Sequence, residues 1–294
     1  MTHVATLIGS PDALAPATLA LARAALPGTS EPKQLGPDAA DISFSSSTGI
    51  DQRGLAKHLR GLVHGIDVVV QPAAHRRKKL FLVDMDSTMI GQECIDELAD
   101  YAGLKARVAA ITERAMRGEI AFEPALRERV ALLKGMPVKI IDVVIEKRIT
   151  LTPGARTLVA TMRANGTHTC MVSGGFTLFT DIIAKKIGFD ETHANRLMLE
   201  GDKLAGMVKE PVFGRDAKRA TLVELRTRLK LAKHDTLAAG DGANDMDMIA
   251  VAGLGVAYHA KPKLAEAAIA RIDHGDLTAL LYVQGYRKDE FVHA

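Results

Sequence analysis

Four apolar runs end on the same few residue types. "LFLVD" (80–84), "THTCMVSGG" (167–175), "TLAAGDG" (236–242) and "GLGVAYH" (253–259) are strand-like; the first closes on Asp, the next two on Ser or Asp with glycine, and helical stretches separate them. A run that is apolar throughout, without alternation, suits a strand buried on both faces, as in a parallel sheet covered by helices. The rhythm from Leu80 onward therefore predicts an α/β fold built on a doubly wound parallel sheet. In such a sheet the carboxyl ends of the strands share one crevice, so the residues that close these runs have a common destination.

The interval between the first two runs is far longer than a βα crossover needs. Its segments "ECIDELADYAG", "ARVAAITERAMRG", "FEPALRERVALLKG" and "VKIIDVVIEKR" read as helices, which predicts a helical cap at about 92–150. "RLMLEGDKLAGMV" (196–208), with Gly-Asp between apolar runs, predicts a β-hairpin. Ahead of Leu80 the order is βαββαβ, with strands in "HVATLIG", "EPKQLG", "DISFSS" and "IDVVVQPA", and it predicts a small α+β ferredoxin-like domain over 1–74. The basic run "HRRKK" (75–79) then reads as a solvated joint opening a second domain, 75–294.

With 38 basic against 35 acidic residues the surface charge is mixed, and no nucleic-acid partner is expected. No stretch approaches the roughly 20 unbroken apolar residues of a membrane span, and the first residues lack the basic and apolar regions of a signal peptide. Cys94 and Cys170 stand apart from any CxxC pair or histidine spacing, so both read as reduced, buried thiols, and a cytoplasmic location is expected. The ten histidines are dispersed and receive no role.

The strand-end set comprises Asp84, Asp86, Ser173, Gly174, Asp241, Asn244 and Asp245. Carboxylates that converge in one crevice repel each other unless a hard cation or a proton intervenes. Magnesium suits the set, because it takes oxygen ligands and works beside phosphate. "SGGF" is expected to open a helix whose N–H groups hold an anion, and Lys218 lies early in another helix as a mobile positive charge. Metal, helix N-terminus and lysine describe a site for phosphoryl transfer. One aspartate can then attack phosphorus while the other moves the leaving-group proton.

"DMDST", "SGG", the downstream lysine and "GDGAND" resemble, in order, the four signatures of haloacid-dehalogenase-superfamily phosphatases. The resemblance runs from about Leu80 to Tyr286. It implies Asp84 as nucleophile, Asp86 as general acid and base, and Ser173, Gly174 and Lys218 on the phosphate. It further implies Mg2+ on Asp84, Asp241 and the Asp86 carbonyl, Asp245 organising waters and the lysine, and Asn244 against the substrate. The cap stretches "IGQECIDELA" and "MRGEIAFEPALRERVALLKG" are similar to those of phosphoserine phosphatases. That similarity implies hydrolysis of O-phospho-L-serine, the last step of serine biosynthesis, with Glu93 facing the ammonium, Arg129 the carboxylate and Phe122 covering the pocket. The N-terminal residues resemble ACT-like modules, through which a homodimer is expected.

Taken singly these residues have simpler readings. Asp84, Asp245 and Ser173 could each cap a helix, Lys218 could be a solvated helix lysine, Glu93 and Arg129 could belong to a salt-bridge network, and Cys94 could simply fill space. The order of the motifs is what joins them. A signalling receiver also takes phosphate on an aspartate, and "HAKPK" (259–263) offers the Lys-Pro pair such a module uses, but the cap, Asp86 and the late "GDGAND" oppose it. A phosphotransferase, or a phosphatase for a neighbouring phosphorylated amino acid or alcohol, shares every catalytic residue, and only the cap discriminates.

Overall fold

The computed structural model describes residues 2–46, 49–116 and 119–293, except for the side chain at 116. The chain opens with β1 (Thr2–Ile8), α1 (Pro16–Ala24), β2 (Lys33–Gly36), β3 (Ala39–Ser45), α2 (Gln52–Leu62) and β4 (Asp67–Pro72). These strands form an antiparallel sheet in the order β2-β3-β1-β4, the expected ferredoxin-like arrangement. Asp51 caps α2 by accepting from Gly54 N at 3.0 Å. One face of this sheet has a core of its own under the two helices, including Leu7, Ile42, Phe44, Leu59 and Val68.

The remainder starts with β5 (Leu80–Asp84), whose five residues are all buried. The cap follows as α3 (Cys94–Tyr101), α4 (Lys105–Met116), α5 (Phe122–Ala131) and α6 (Ile140–Lys147). A bridge between Ile90 and Leu151 closes its base, so the insert leaves and rejoins the core at one place. The chain continues through α7 (Ala155–Ala164), β6 (His168–Phe176), α8 (Thr177–Ile187) and β7 (Glu191–Asn195), then the predicted hairpin β8 (Leu197–Glu200) and β9 (Lys203–Val208). It ends with α9 (Arg215–Arg228), β10 (Thr236–Gly240), α10 (Met246–Val251), β11 (Leu254–Tyr258), α11 (Pro262–Ala267), β12 (Ala270–Ile272) and α12 (Ala279–Val283).

The large sheet has the order β12-β11-β10-β5-β6-β7, with all pairs parallel. The chain passes from β5 to β6 and β7 on one side and returns to β10 on the other. The strand order thus reverses at the neighbouring carboxyl ends of β5 and β10, where an open α/β sheet binds its ligands. Phe81 and Val83 point into the main core and Leu80 and Leu82 into a second layer under α9. Truncating a buried phenylalanine such as Phe81 to alanine costs about 3–5 kcal/mol, so the strand that carries Asp84 is firmly fixed.

The basic run is solvated only in part: His75, Arg77 and Lys79 are exposed, whereas Arg76 is half-buried and Lys78 buried. Arg76 pairs with Asp41 at 2.6 Å and donates to Thr6 Oγ1 and to the carbonyls of Tyr282 and Val283. Arg77 lies 3.8 Å over the Tyr286 ring, and the Lys78 ammonium donates to the carbonyls of His75 and His234. Close by, Asp67 accepts from the backbone N–H groups of Asp273, His274 and Gly275. The run was read as solvated because charge runs usually are; here the carbonyls at the end of α12 and a carboxylate on β3 lie within reach of Arg76 and give that residue partners.

Candidate active site

Asp84 closes β5 and turns its Oδ1 onto Met85 N at 2.7 Å. The next turn carries Ser87 in the left-handed region, at φ 54°, a conformation uncommon outside glycine. That kink brings Asp86 back over the crevice and lets Ser87 Oγ donate to Glu93 Oε1 at 2.7 Å. Asp86 accepts from Cys94 N at 2.9 Å and from Ser173 Oγ at 3.1 Å. Cys94 is buried, and its backbone, not its thiol, serves the site.

On the other side, the turn after β10 supplies Asp241, Asn244 and Asp245. Asn244 Nδ2 donates to Asp84 Oδ2 at 3.2 Å, and Asp245 Oδ2 accepts from Gly242 N at 3.1 Å. Lys218, in the first turns of α9, is fully buried and reaches Asp84 at 2.7 Å and Asp245 at 2.8 Å. Burial alone would lower its pKa, but the two carboxylates outweigh that and hold it above its ordinary value. Removing one member of such a buried set typically costs about 3–5 kcal/mol, because the partners are left as unpaired charges.

Burial, and then the nearby charge of Asp84, pushes the Asp86 carboxyl up to about 6 and Asp245 up to about 7. Asp241 is raised as well, chiefly by burial. Glu93 is pushed up to about 7 by burial and then by Asp86. Five carboxylates, Asp84, Asp86, Glu93, Asp241 and Asp245, thus meet two ammoniums, Lys218 and Lys261. Asp84, Asp241 and Asp245 bring ligand oxygens within 4.8 Å of one another. Hard oxygen donors with surplus negative charge fit a divalent cation. Both oxygens of Asp245 are engaged, by Lys218 and Gly242 N, and so are both of Asp84, by Met85 N on one side and by Lys218 and Asn244 on the other.

These groups line a cavity of about 210 Å³, together with Gly174 and the cap residues Glu93, Phe122 and Arg129. Ser173, Lys218 and Asp245 stand directly behind its wall, so all the residues singled out from the sequence come together here. Phe122 lies over Gly174 and Gly214, where a Cβ would meet its ring at 3.3 Å. Among the described residues Arg129 donates to Ala125 O at 3.2 Å and Thr112 Oγ1 at 3.5 Å, with the carboxylates of Asp96 and Glu93 nearby. Two details differ from expectation. Strand β6 continues to Phe176, so α8 starts at Thr177 and not at "SGGF". Lys261 pairs with Asp241 at 3.1 Å, a role the sequence reading did not assign, although the residue is the lysine of the Lys-Pro pair in "HAKPK" just past the end of β11.

Residues 81–250 match the haloacid dehalogenase-like hydrolase family. The chain belongs to that family. A phosphoserine phosphatase from Polaromonas sp. is 48% identical over 208 residues, 69% of this chain and 88% of that protein. A HAD family hydrolase from Salmonella enterica serovar Typhi superposes with a TM-score of 0.88 at 27% identity, over 96% of this chain and 98% of the other. A probable phosphoserine phosphatase from Vibrio cholerae, solved unliganded, gives 0.79 at 31% identity over 97% and 86%. Both solved structures cover nearly the whole chain, so the N-terminal sheet is part of the likeness.

Proposed function

We propose that this hydrolase converts O-phospho-L-serine to L-serine and phosphate. The observation that carries the substrate is the pair Glu93 and Arg129, opposite charges on the cap, facing one small cavity above a carboxylate floor. A zwitterionic amino acid needs one anion and one cation at fixed places, and Phe122 supplies a wall that excludes water. A cavity of about 210 Å³ is smaller than the ~300–1,000 Å³ of drug-sized pockets and suits a small phosphoester.

In the proposed mechanism Asp84 attacks phosphorus and forms an aspartyl phosphate as the P–O bond to serine breaks. Asp86, whose raised pKa lets it hold a proton near neutrality, gives that proton to the serine oxygen. It then takes a proton from the water that hydrolyses the aspartyl phosphate. Ser173 positions Asp86, Lys218 neutralises Asp84, and Gly174 leaves room for the phosphoryl group. Mg2+ would be held by Asp84, Asp241 and the Asp86 carbonyl and would supply positive charge to the phosphoryl oxygens. No helix among the described residues is long and apolar enough to cross a membrane, and the two free thiols support a cytoplasmic setting.

The test is a substrate panel of phosphoserine, phosphothreonine, homoserine phosphate and phosphoethanolamine, each with magnesium and with EDTA. Phosphoserine should give the highest kcat/KM, and EDTA should abolish turnover. Equal rates across the panel would remove the substrate assignment and leave the phosphatase chemistry standing.

A further inference from the structure

On the α9 side of the large sheet, away from the carboxylate floor, a second group of ligand-type side chains comes together. Cys170 on β6 is register partner to Glu191 on β7, and Val172 to His193. Alternate residues of a strand share a face, so His168, Cys170, Glu191 and His193 project to the same side. Ligand atoms of Cys170, Glu191 and His193 lie within 4.8 Å of one another. Glu191 Oε1 is 3.6 Å from His193 Nε2 and 3.6 Å from His168 Nε2.

Those 3.6 Å separations are too long for hydrogen bonds. Accordingly, His168 Nε2, His193 Nε2 and Glu191 Oε1 are all buried atoms without a hydrogen-bond partner. Leaving a buried polar atom unpaired carries a desolvation penalty, and three such atoms facing one another call for an explanation. A tetrahedral zinc ion with Zn–N and Zn–O bonds of about 2.0–2.2 Å sets such atoms about 3.3–3.5 Å apart, so the 3.6 Å separations need to close by only about 0.1 Å. The other carboxylate oxygen, Glu191 Oε2, is fixed by Arg228 at 2.7 Å, the kind of outer contact that orients a metal ligand. The His193 ring packs on Phe213 with an interplanar angle of 13°. The His193 side chain is 42% exposed, which leaves a path for an ion from solvent.

We propose that Cys170, Glu191 and His193 form a three-donor binding site for a zinc-type divalent ion that clamps edge strand β7 to β6, with the fourth position taken by solvent. Thiolate and imidazole select such an ion over magnesium, so this site and the carboxylate floor divide the two metal chemistries. Binding replaces the thiol proton by a metal–sulfur bond, and the proton leaves to solvent. The reading is independent of the phosphatase assignment and concerns stability, not turnover.

The probe is Co2+ added to the full-length protein, first stripped with chelator and then kept in excess Mg2+ to occupy the carboxylate floor. One equivalent should produce a thiolate-to-cobalt charge-transfer band, and Zn2+ should displace it and raise Tm. His193→Gln should weaken Co2+ binding by about a hundredfold or more, given that even outer contacts of metal sites are worth 10–100-fold. Cys170→Ser should remove the band, whereas Cys94→Ser should keep it. Folded wild-type protein that shows no thiolate band, or a band that survives in Cys170→Ser, would overturn the proposal. The wild-type titration decides the matter even where a variant fails to fold.

Discussion

The carboxylate floor and the cap face each other across one cavity, yet they are built in opposite ways. On the floor every charged group is committed: Lys218 is locked between Asp84 and Asp245, Asp86 between Cys94 N and Ser173, and Asp241 against Lys261. Across from it, Arg129 is held by two long contacts and Phe122 is 39% exposed. A preorganised floor needs no rearrangement as charge develops on a phosphoryl group. A loosely held cap leaves its charges available for whatever enters. The difference places reaction type in the sheet and substrate choice in the insert.

The strongest way to break that division is at the floor. Asp84→Asn keeps the size of the side chain but removes the attacking charge, so kcat should fall by roughly 10⁴-fold or more, with no phosphoenzyme trapped on quenching. Near-normal turnover in that variant would end the mechanism. Asp86→Asn should follow with a loss of ~10²–10⁴-fold on phosphoserine. With p-nitrophenyl phosphate, whose leaving group needs little protonation, single-turnover formation of the phosphoenzyme should suffer much less. Equal losses on both esters would count against the acid role.

Smaller effects test the cap. Arg129→Ala should lower kcat/KM for phosphoserine about 100-fold, as expected for losing a buried charged contact, while phosphoethanolamine, which has no carboxylate, is nearly unaffected. Equal losses would mean that Arg129 holds the cap fold and not the substrate. The smallest effect is a pH limb. A Glu93 carboxyl raised to about 7 is neutral below that pH and cannot attract an ammonium, so its contribution to kcat/KM for phosphoserine should grow as pH passes upward through about 7. Loss of the Asp86 proton above about 6 works against this, and the comparison with Glu93→Gln cancels it. Between pH 6 and pH 8 the advantage of wild type over Glu93→Gln should grow about tenfold, following the ionised fraction. A constant ratio across that range would show that Glu93 does not titrate there.

Sequence carried the floor well because its residues sit at fixed places, the ends of strands or one turn beyond, where burial pattern and topology both point. Asp84, Asp241 and Ser173 are legible for that reason. Burial of Lys218 is not, since a helix lysine looks the same whether its face meets water or two aspartates. Lys261 was visible as part of a Lys-Pro pair, but its partner Asp241 was not, because that depends on the path of the chain after β11, which no local pattern encodes. The histidines seemed dispersed because sequence spacing was sought along one segment, whereas Cys170 and His193 meet only once β6 and β7 are paired in register. Within the basic run at 75–79, Arg76 departs from the solvated reading for a related reason: whether it is solvated depends on carbonyls more than two hundred residues away.

That run has a consequence for how the chain unfolds. Arg76 binds two residues of the N-terminal sheet and two carbonyls of α12, and Asp67 answers with three backbone N–H groups of the segment after β12. Ile8, Leu35, Ala39 and Val69 belong to the same apolar core as Tyr282. Loss of either sheet strands polar groups of the other without partners, which makes partial unfolding costly on both sides. The small sheet and the far end of the large one are thereby joined in a single cooperative unit, although almost the whole length of the chain separates them.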